Sequence, residues 1–402
     1  MVDFSFTEEQ DLFRDSLKEW LSQNLTLEQI RENDIKHEIP PDFIKGMGDL
    51  GLLLLTIPEE DGGVGADWVT ATIAAEELGY ADISVAIPVF YLVQASWGYV
   101  VNKLASDEVK DKYIRRATEG NGFIGIGVTE PGGGSDVAGF KTNLKPKGNG
   151  WLVNGEKTYI SGTAEASEMD GGYFVTGYSD RSKGHRGMTA FFLPINQEGV
   201  EITKRFDNMG RMAISTGGFK MTDVEVPEEY QLGDTNRGFY YTMEGFDAAR
   251  VLVSASCLGA AERAMEVGMD YIKDREAFGQ PLAMYQGIQF DLADMAAHHE
   301  AIKSLVYRTA WMLDQKYQHD TFTALEVAKY IAMCKYLAPH HALDTFRRVM
   351  YWLGAYGYTQ ESPLEMGLRG VMSYCIGAEG AANIQKIIIA RETLGRDWTK
   401  SS

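Results

Sequence analysis

The chain has 402 residues, 45% of them apolar, 24% charged and 11% aromatic, a profile that excludes a disordered or collagen-like protein. Thirty-eight lysines and arginines stand against 57 aspartates and glutamates, and the formal charge of −19 disfavours nucleic acid as a partner while leaving room for a local basic pocket. The three cysteines, Cys257, Cys334 and Cys375, lack metal-ligand spacing, so neither a disulfide nor a zinc site is expected.

The opening stretch MVDFSFTEEQDLFRDSL is acidic and amphipathic, with neither the basic-then-apolar order of a signal peptide nor the arginine-rich character of a transit peptide. No run reaches the roughly 18 apolar residues of a spanning helix, so a cytoplasmic chain without a membrane segment is expected. Thr7 and Gln10 have the spacing of a capping box. Behind them Leu12, Phe13, Leu17, Trp20 and Leu21 recur on one face and predict a helix. Similar patterns around 43–47, 68–78, 87–104 and 108–117, separated by glycine-rich breaks, make the region 1–120 an all-α domain.

The pattern then changes. Short apolar runs (GFIGIGV, WLVNG, KTYISG, YFVTGY, TAFFLPI, VEITKRF, GGFKM) are split by turn signals such as Gly148-Asn149-Gly150 and Asn154-Gly155, which predicts a middle β-barrel-like domain over 121–232. The region 233–402 returns to helical periodicity. Leu258, Ala261, Met265, Met269 and Ile272 share one face, with Glu262, Glu266 and Asp270 on the other. Ile288, Leu292, Met295, Ile302 and Val306 mark a second helix, and a third over 324–350 carries Pro339, where a kink is expected. The fold class is α+β, ending in a bundle of long helices.

Residues 128–142, VTEPGGGSDVAGFKT, set Gly132, Gly133 and Gly134 between a proline and Ser135-Asp136. Three glycines allow close backbone approach to a pyrophosphate, although the same stretch also reads as a plain flexible turn, since it matches neither the Walker pattern nor GxGxxG. It resembles the TEPxAGSD signature of the acyl-CoA dehydrogenase family. Further resemblance lies in KTYISG (157–162), MTDVEVP (221–227), FDAAR (246–250), REAFGQPL (275–282) with Gln286, LGAYGYTQESPLE (353–365) and AEGAANIQKIIIARETLG (378–395). These motifs keep the family's order over essentially the whole chain, and the family's C-terminal four-helix bundle matches the helical region.

The resemblance implies FAD as cofactor, with Val128, Thr129, Gly134 and Ser135 as contacts, Tyr159 against the isoalloxazine and Ser161 at its reactive nitrogen. It implies that Arg275 and Phe278 serve the cofactor of a neighbouring subunit, hence a homotetramer built as a dimer of dimers, and that Gln286 is a further cofactor contact. Asp247, Arg250 and Gly380 fall at the substrate's thioester and coenzyme A. The resemblance also implies an acyl-CoA substrate and an electron-transferring flavoprotein as acceptor.

Removing an α-proton from a thioester as hydride leaves the β-carbon requires one buried carboxylate base and donors at the carbonyl. Glu379, between small residues and behind the apolar approach Ile376-Gly377-Ala378, is the candidate. By resemblance the carbonyl is held by the amide of residue 379 and a flavin ribose hydroxyl. The chain departs from the family in several places. The interval from Arg369 to Glu379 is one residue longer than usual, Ala381 replaces a flavin-contacting Thr, Gly370 follows Arg369 where Asp is usual, and Tyr351 replaces a Gln. Ala249 occupies the position where some relatives carry the base, which leaves Asp247 or Asp82 as alternative bases for a 1,4-elimination on an alicyclic thioester. An enoyl-CoA reductase shares the same microscopic steps, and a non-catalytic acyl-CoA or flavin-binding subunit is the alternative of another class. Phe90, Tyr91, Trp97 and Tyr99 read as core or as the wall of a shortened acyl pocket. His299 reads as a satisfied core histidine, His340 and His341 cannot face one ligand, and no metal is expected.

Overall fold

A computed structural model describes residues 5–399; the outer ends of the first and last expected domains, 1–4 and 400–402, lie outside the described residues. Helix α1 (Glu8–Asn24) starts at the expected capping box, where Thr7 Oγ1 accepts from Gln10 N and the Gln10 side chain accepts from Thr7 N. Leu17 and Leu21 are buried, whereas Leu12 is 62% exposed and stands outside the stripe. A second box, Thr26 with Gln29, starts α2 (Leu27–Lys36), which the periodicity did not reveal. Then come α3 (Pro41–Asp49), α4 (Trp68–Ala81) and α5 (Ala86–Leu104), the last buried along almost its whole length. The single helix expected near 108–117 is α6 (Asp107–Val109), a π-helical turn (Lys110–Ile114) and α7 (Arg115–Thr118).

The middle region forms an eight-stranded sheet. Its strands are β1 (Ile124–Gly127), β2 (Asn143–Lys147), β3 (Gly150–Ser161), β4 (Gly172–Tyr178), β5 (Met188–Pro194), β6 (Val200–Arg205), β7 (Thr216–Val226) and β8 (Gln231–Leu232), with α8 (Thr163–Glu168) between β3 and β4. The order is β6-β7-β3-β2-β4-β5-β8, with β1 parallel to β4. Gly148 and Asn149 turn β2 into β3 as expected, but Asn154-Gly155 is not a turn. It lies within β3, where the pairing with β7 slips between Val153 and Gly155. A Cβ on Gly155 would come within 2.3 Å of Thr142 Oγ1, so the glycine serves a close approach rather than a reversal.

Helix α9 (Gly238–Asp274) is the axis of the C-terminal region. It was expected to be amphipathic, but from Ala248 to Ala261 every residue is buried, because α4, α5 and α11 (Ala324–Leu353) pack around it. Gly79 of α4 and Gly259 of α9 bring those two backbones together: an added Cβ would meet Ser256 O at 2.1 Å or Glu76 O at 1.9 Å. The β9 (Glu276–Ala277) and β10 (Gln280–Pro281) hairpin leads into α10 (Gln286–His319). Helix α11 begins at a third capping box, Thr323 with Glu326, and carries Pro339 in its interior. Helices α12 (Leu364–Ile376) and α13 (Ala382–Leu394) follow, and the short non-helical link between them holds Glu379. The cysteines are unpaired, and no described helix is long and apolar enough to cross a membrane.

Candidate active site

Where α5, the sheet, α9 and the α12–α13 link meet, they enclose a cavity of about 890 Å³. On the sheet side, the turn after β1 is anchored by a buried ion pair: Lys157 Nζ lies 2.9 Å from Glu130 Oε1 and donates to the carbonyls of Val128 and Thr176. Burial lowers the Lys157 ammonium to about 8 against the pull of Glu130. Burial also acts to raise the Glu130 carboxyl, but the Lys157 charge and the Lys141 and Thr142 donors outweigh it and hold the acid below its ordinary value. That pair fixes Val128 and Thr129 at the cavity wall. Beyond it, Gly134 and Ser135 are exposed and their amides find no protein acceptor among the described residues, while a Cβ on Gly132 would meet nothing within 4 Å. Open amides on a glycine turn suit a diphosphate.

Tyr159 sits at the second slip of β3 against β7, between Lys157 and Ile160, with φ +58°. The irregularity turns its ring out of the sheet, 65% exposed, stacked on Phe206 at 4.6 Å and facing the cavity. Two residues on, Ser161 also lines it and its Oγ accepts from Arg211 Nη1 at 3.1 Å. An exposed aromatic face, a hydroxyl and a cradle of free amides along one wall fit a flavin dinucleotide.

Glu379 closes the opposite wall. Ala378, Glu379 and Gly380 all have positive φ (39°, 58° and 110°), a hook that two non-glycine residues hold at a cost in backbone strain. Burial raises the Glu379 carboxyl to about 7, despite the opposing charges of Arg250, Lys335 and Arg211. Its Oε2 is buried without a hydrogen-bond partner. The Trp97 indole beside it favours the ionised form, although Trp97 Nε1 makes no hydrogen bond of good geometry. The hook is held from both sides: Arg250 Nε donates to Glu379 O at 2.7 Å, and buried Lys335 donates to Tyr374 O at 2.6 Å and Gly377 O at 3.4 Å. This arrangement can accept a proton from a ligand lying between Glu379 and the Tyr159–Ser161 wall.

Thus Val128, Thr129, Gly134, Ser135, Tyr159, Ser161, Arg250, Glu379 and Gly380 all line one cavity. Asp247 does not; it turns away to Lys316 at 3.1 Å, with Arg250 at 3.8 Å. Arg275, Phe278 and Gln286 lie at the α9–α10 connection and do not line this cavity, and Phe278 is 99% exposed. Asp82 is buried as a cap, accepting from Ser84 N, Ser84 Oγ and Ile87 N. His299 is buried as expected; its Nε2 faces Glu262 Oε2 at 3.7 Å, beyond hydrogen-bond length, and Nδ1 has no hydrogen-bond partner among the described residues. With Glu76 and Glu262 it forms a cluster of metal-ligand type, yet Lys303 Nζ lies against both carboxylates and supplies the cation. Arg211, Lys335 and Trp97 escaped the sequence reading as neighbours of the base. Of these only Lys335 left a signal, a lysine on the buried α11 stripe of Val327, Ile331, Cys334 and Ala338.

Models of the acyl-CoA dehydrogenase N-terminal, middle and C-terminal domains match residues 7–121, 125–224 and 236–394. The chain belongs to the acyl-CoA dehydrogenase family. It is similar to the mitochondrial short-chain specific acyl-CoA dehydrogenase of Rattus norvegicus, 33% identical over 90% of this chain and 84% of that one. It is also similar to a 3-(aryl)acrylate reductase of Clostridium sporogenes, 31% identical over 97% and 99%. Among solved structures, butyryl-CoA dehydrogenase of Megasphaera elsdenii superposes with a TM-score of 0.89, at 29% identity over 98% of this chain and all of that one. As a member of this family of FAD-dependent oxidoreductases, the chain is an enzyme.

Proposed function

We propose that this acyl-CoA dehydrogenase interconverts a short, branched or cyclic acyl-CoA and its 2-enoyl-CoA, with Glu379 as the α-proton acceptor. The observation that carries the reading is the Glu379 carboxylate, lifted to about 7 with Oε2 free, across one cavity from Tyr159 and Ser161. FAD, when bound, accepts the β-hydride. The chain's own residues do the rest. Arg250 and Lys335 fix the hook, the apolar side chains of α5 and α9 exclude water, and Glu379 takes the proton. Gly380 and Arg250 border the thioester's path. Asp247 orients Arg250 and does not touch the substrate. An electron-transferring flavoprotein takes the electrons. Arg275, Phe278 and Gln286, presented away from their own cavity, complete the cofactor site of a second subunit within a homotetramer.

The reductase direction is the second reading, favoured by similarity to the acrylate reductase. The test of both is the visible spectrum of the FAD-loaded protein kept anaerobic. Straight, branched and cyclic saturated thioesters should bleach the oxidised-flavin band, and an enoyl-CoA should restore it after chemical reduction. Restoration without bleaching would assign the reductase direction, and neither response in folded, FAD-loaded protein would overturn the proposal.

A further inference from the structure

Arg211 stands in the 206–215 loop between β6 and β7 and lines the same cavity as Glu379 and Ser161. Its backbone is left-handed, φ +49°, and both flanks are pinned. Arg369 Nη1 donates to Met209 O at 2.9 Å, Met212 N donates to Asp34 Oδ1 at 3.1 Å, and Asp34 and Arg369 are themselves paired at 2.9 Å. Gly210 lies so close to the Arg369–Gly370 backbone that an added Cβ would be 2.4 Å from Arg369 C. The molecule thus fixes the direction from which this guanidinium enters the cavity.

Once there, the guanidinium has no carboxylate within ion-pair distance among the described residues. Its one hydrogen bond goes to Ser161 Oγ. A guanidinium carries five N–H donors in a fork that matches a carboxylate. The neighbouring cation Arg250 differs, since it already faces Asp247 and the Glu379 carbonyl. Glu379 cannot serve as a permanent partner for Arg211 without losing its freedom to take a proton. An anion for Arg211 can therefore arrive with the ligand, in the cavity it shares with Glu379 and Ser161.

We propose that Arg211 is a specificity-determining residue that receives a second carboxylate on the acyl group, so that the preferred substrates are thioesters of dicarboxylic acids. The proposal rests on the reading of the reaction given above and deepens it. Charge-assisted bidentate pairing of this kind is worth roughly 10- to 100-fold in affinity.

The test uses FAD-loaded protein and matched pairs of thioesters. Glutaconyl-CoA and pent-2-enoyl-CoA are titrated at equilibrium through their perturbation of the flavin spectrum, and glutaryl-CoA and pentanoyl-CoA are compared as reductants by kcat/KM. Wild type should prefer the carboxylate member of each pair at least about tenfold, R211Q should collapse that ratio, and R211K should restore part of it. Preference for the neutral member in wild type would overturn the assignment. So would an R211Q effect equal for both members, which would place Arg211 on the flavin or the base instead. If neither saturated thioester reduces the flavin, the oxidative direction fails for these acyl groups on its own, and the equilibrium pair still decides Arg211.

Discussion

Glu379 joins three things in one residue: a strained backbone, a desolvated carboxyl and an unpartnered oxygen. A base must be ionised to accept a proton, so with the carboxyl raised to about 7, kcat/KM for acyl-CoA oxidation should rise with pH and level off above about 7. Enoyl-CoA reduction needs the protonated form and should fall over the same range. Initial rates from pH 5.5 to 8.5 in both directions check the sign, and a flat oxidation profile would remove Glu379 from the rate-determining chemistry. The sequence pointed to Glu379 through its small neighbours and the resemblance. It could not point to Arg211 or Trp97, because an arginine in a loop and a tryptophan on a buried helix meet the base only through tertiary packing. Asp247, placed near the substrate by the resemblance, is held by Lys316 from a different helix, a contact that no local pattern announces.

Among the elements, β3 presents Tyr159 and Ser161 to the cavity, and the α4–α9 crossing brings two helix backbones into close contact. Periodicity found the strands, but it read Asn154-Gly155 as a turn because a bulge and a hairpin use the same residues. The second irregularity of β3, which turns Tyr159 toward the cavity, has no sequence signal of its own. Helix α9 looked amphipathic from its C-terminal part; its wholly buried middle, residues 248–261, became legible only when α4, α5 and α11 surrounded it. Capping boxes were readable where sought, at Thr7, and equally present at Thr26 and Thr323. The crossing gives a paired prediction. Gly259→Ala forces a methyl onto the Glu76 carbonyl and should cost about 1–3 kcal/mol or more, whereas exposed Gly287, with nothing within 4 Å, should gain up to about 1 kcal/mol as Ala. Urea midpoints of the two variants decide it, and equal shifts would contradict the close crossing.

At the scale of the whole molecule, helices, sheet and bundle each supply one wall of a single cavity, so no region alone holds the chemistry. The three-part architecture was legible from the change of period near residue 122 and its return near 238. The sheet-side wall of the cavity was legible in part, since residues 128–135 and 159–161 are contiguous motifs. The Glu379 wall depends on contacts between residues more than a hundred positions apart, such as Arg250 with Glu379. The chain's net charge of −19 coexists with a cavity lined by Arg211, Arg250 and Arg391 against Asp136 and Glu379, a local basic excess that favours anionic ligands in an acidic protein.

The central claim, that Glu379 takes the α-proton, is tested most directly by anaerobic rapid mixing of FAD-loaded wild type and E379Q with the best saturated thioester in α-protiated and α-deuterated form. Flavin reduction in wild type should slow several-fold on deuteration. E379Q should bind the thioester yet reduce roughly a thousandfold or more slowly. Reduction of E379Q within about tenfold of wild type would contradict the account.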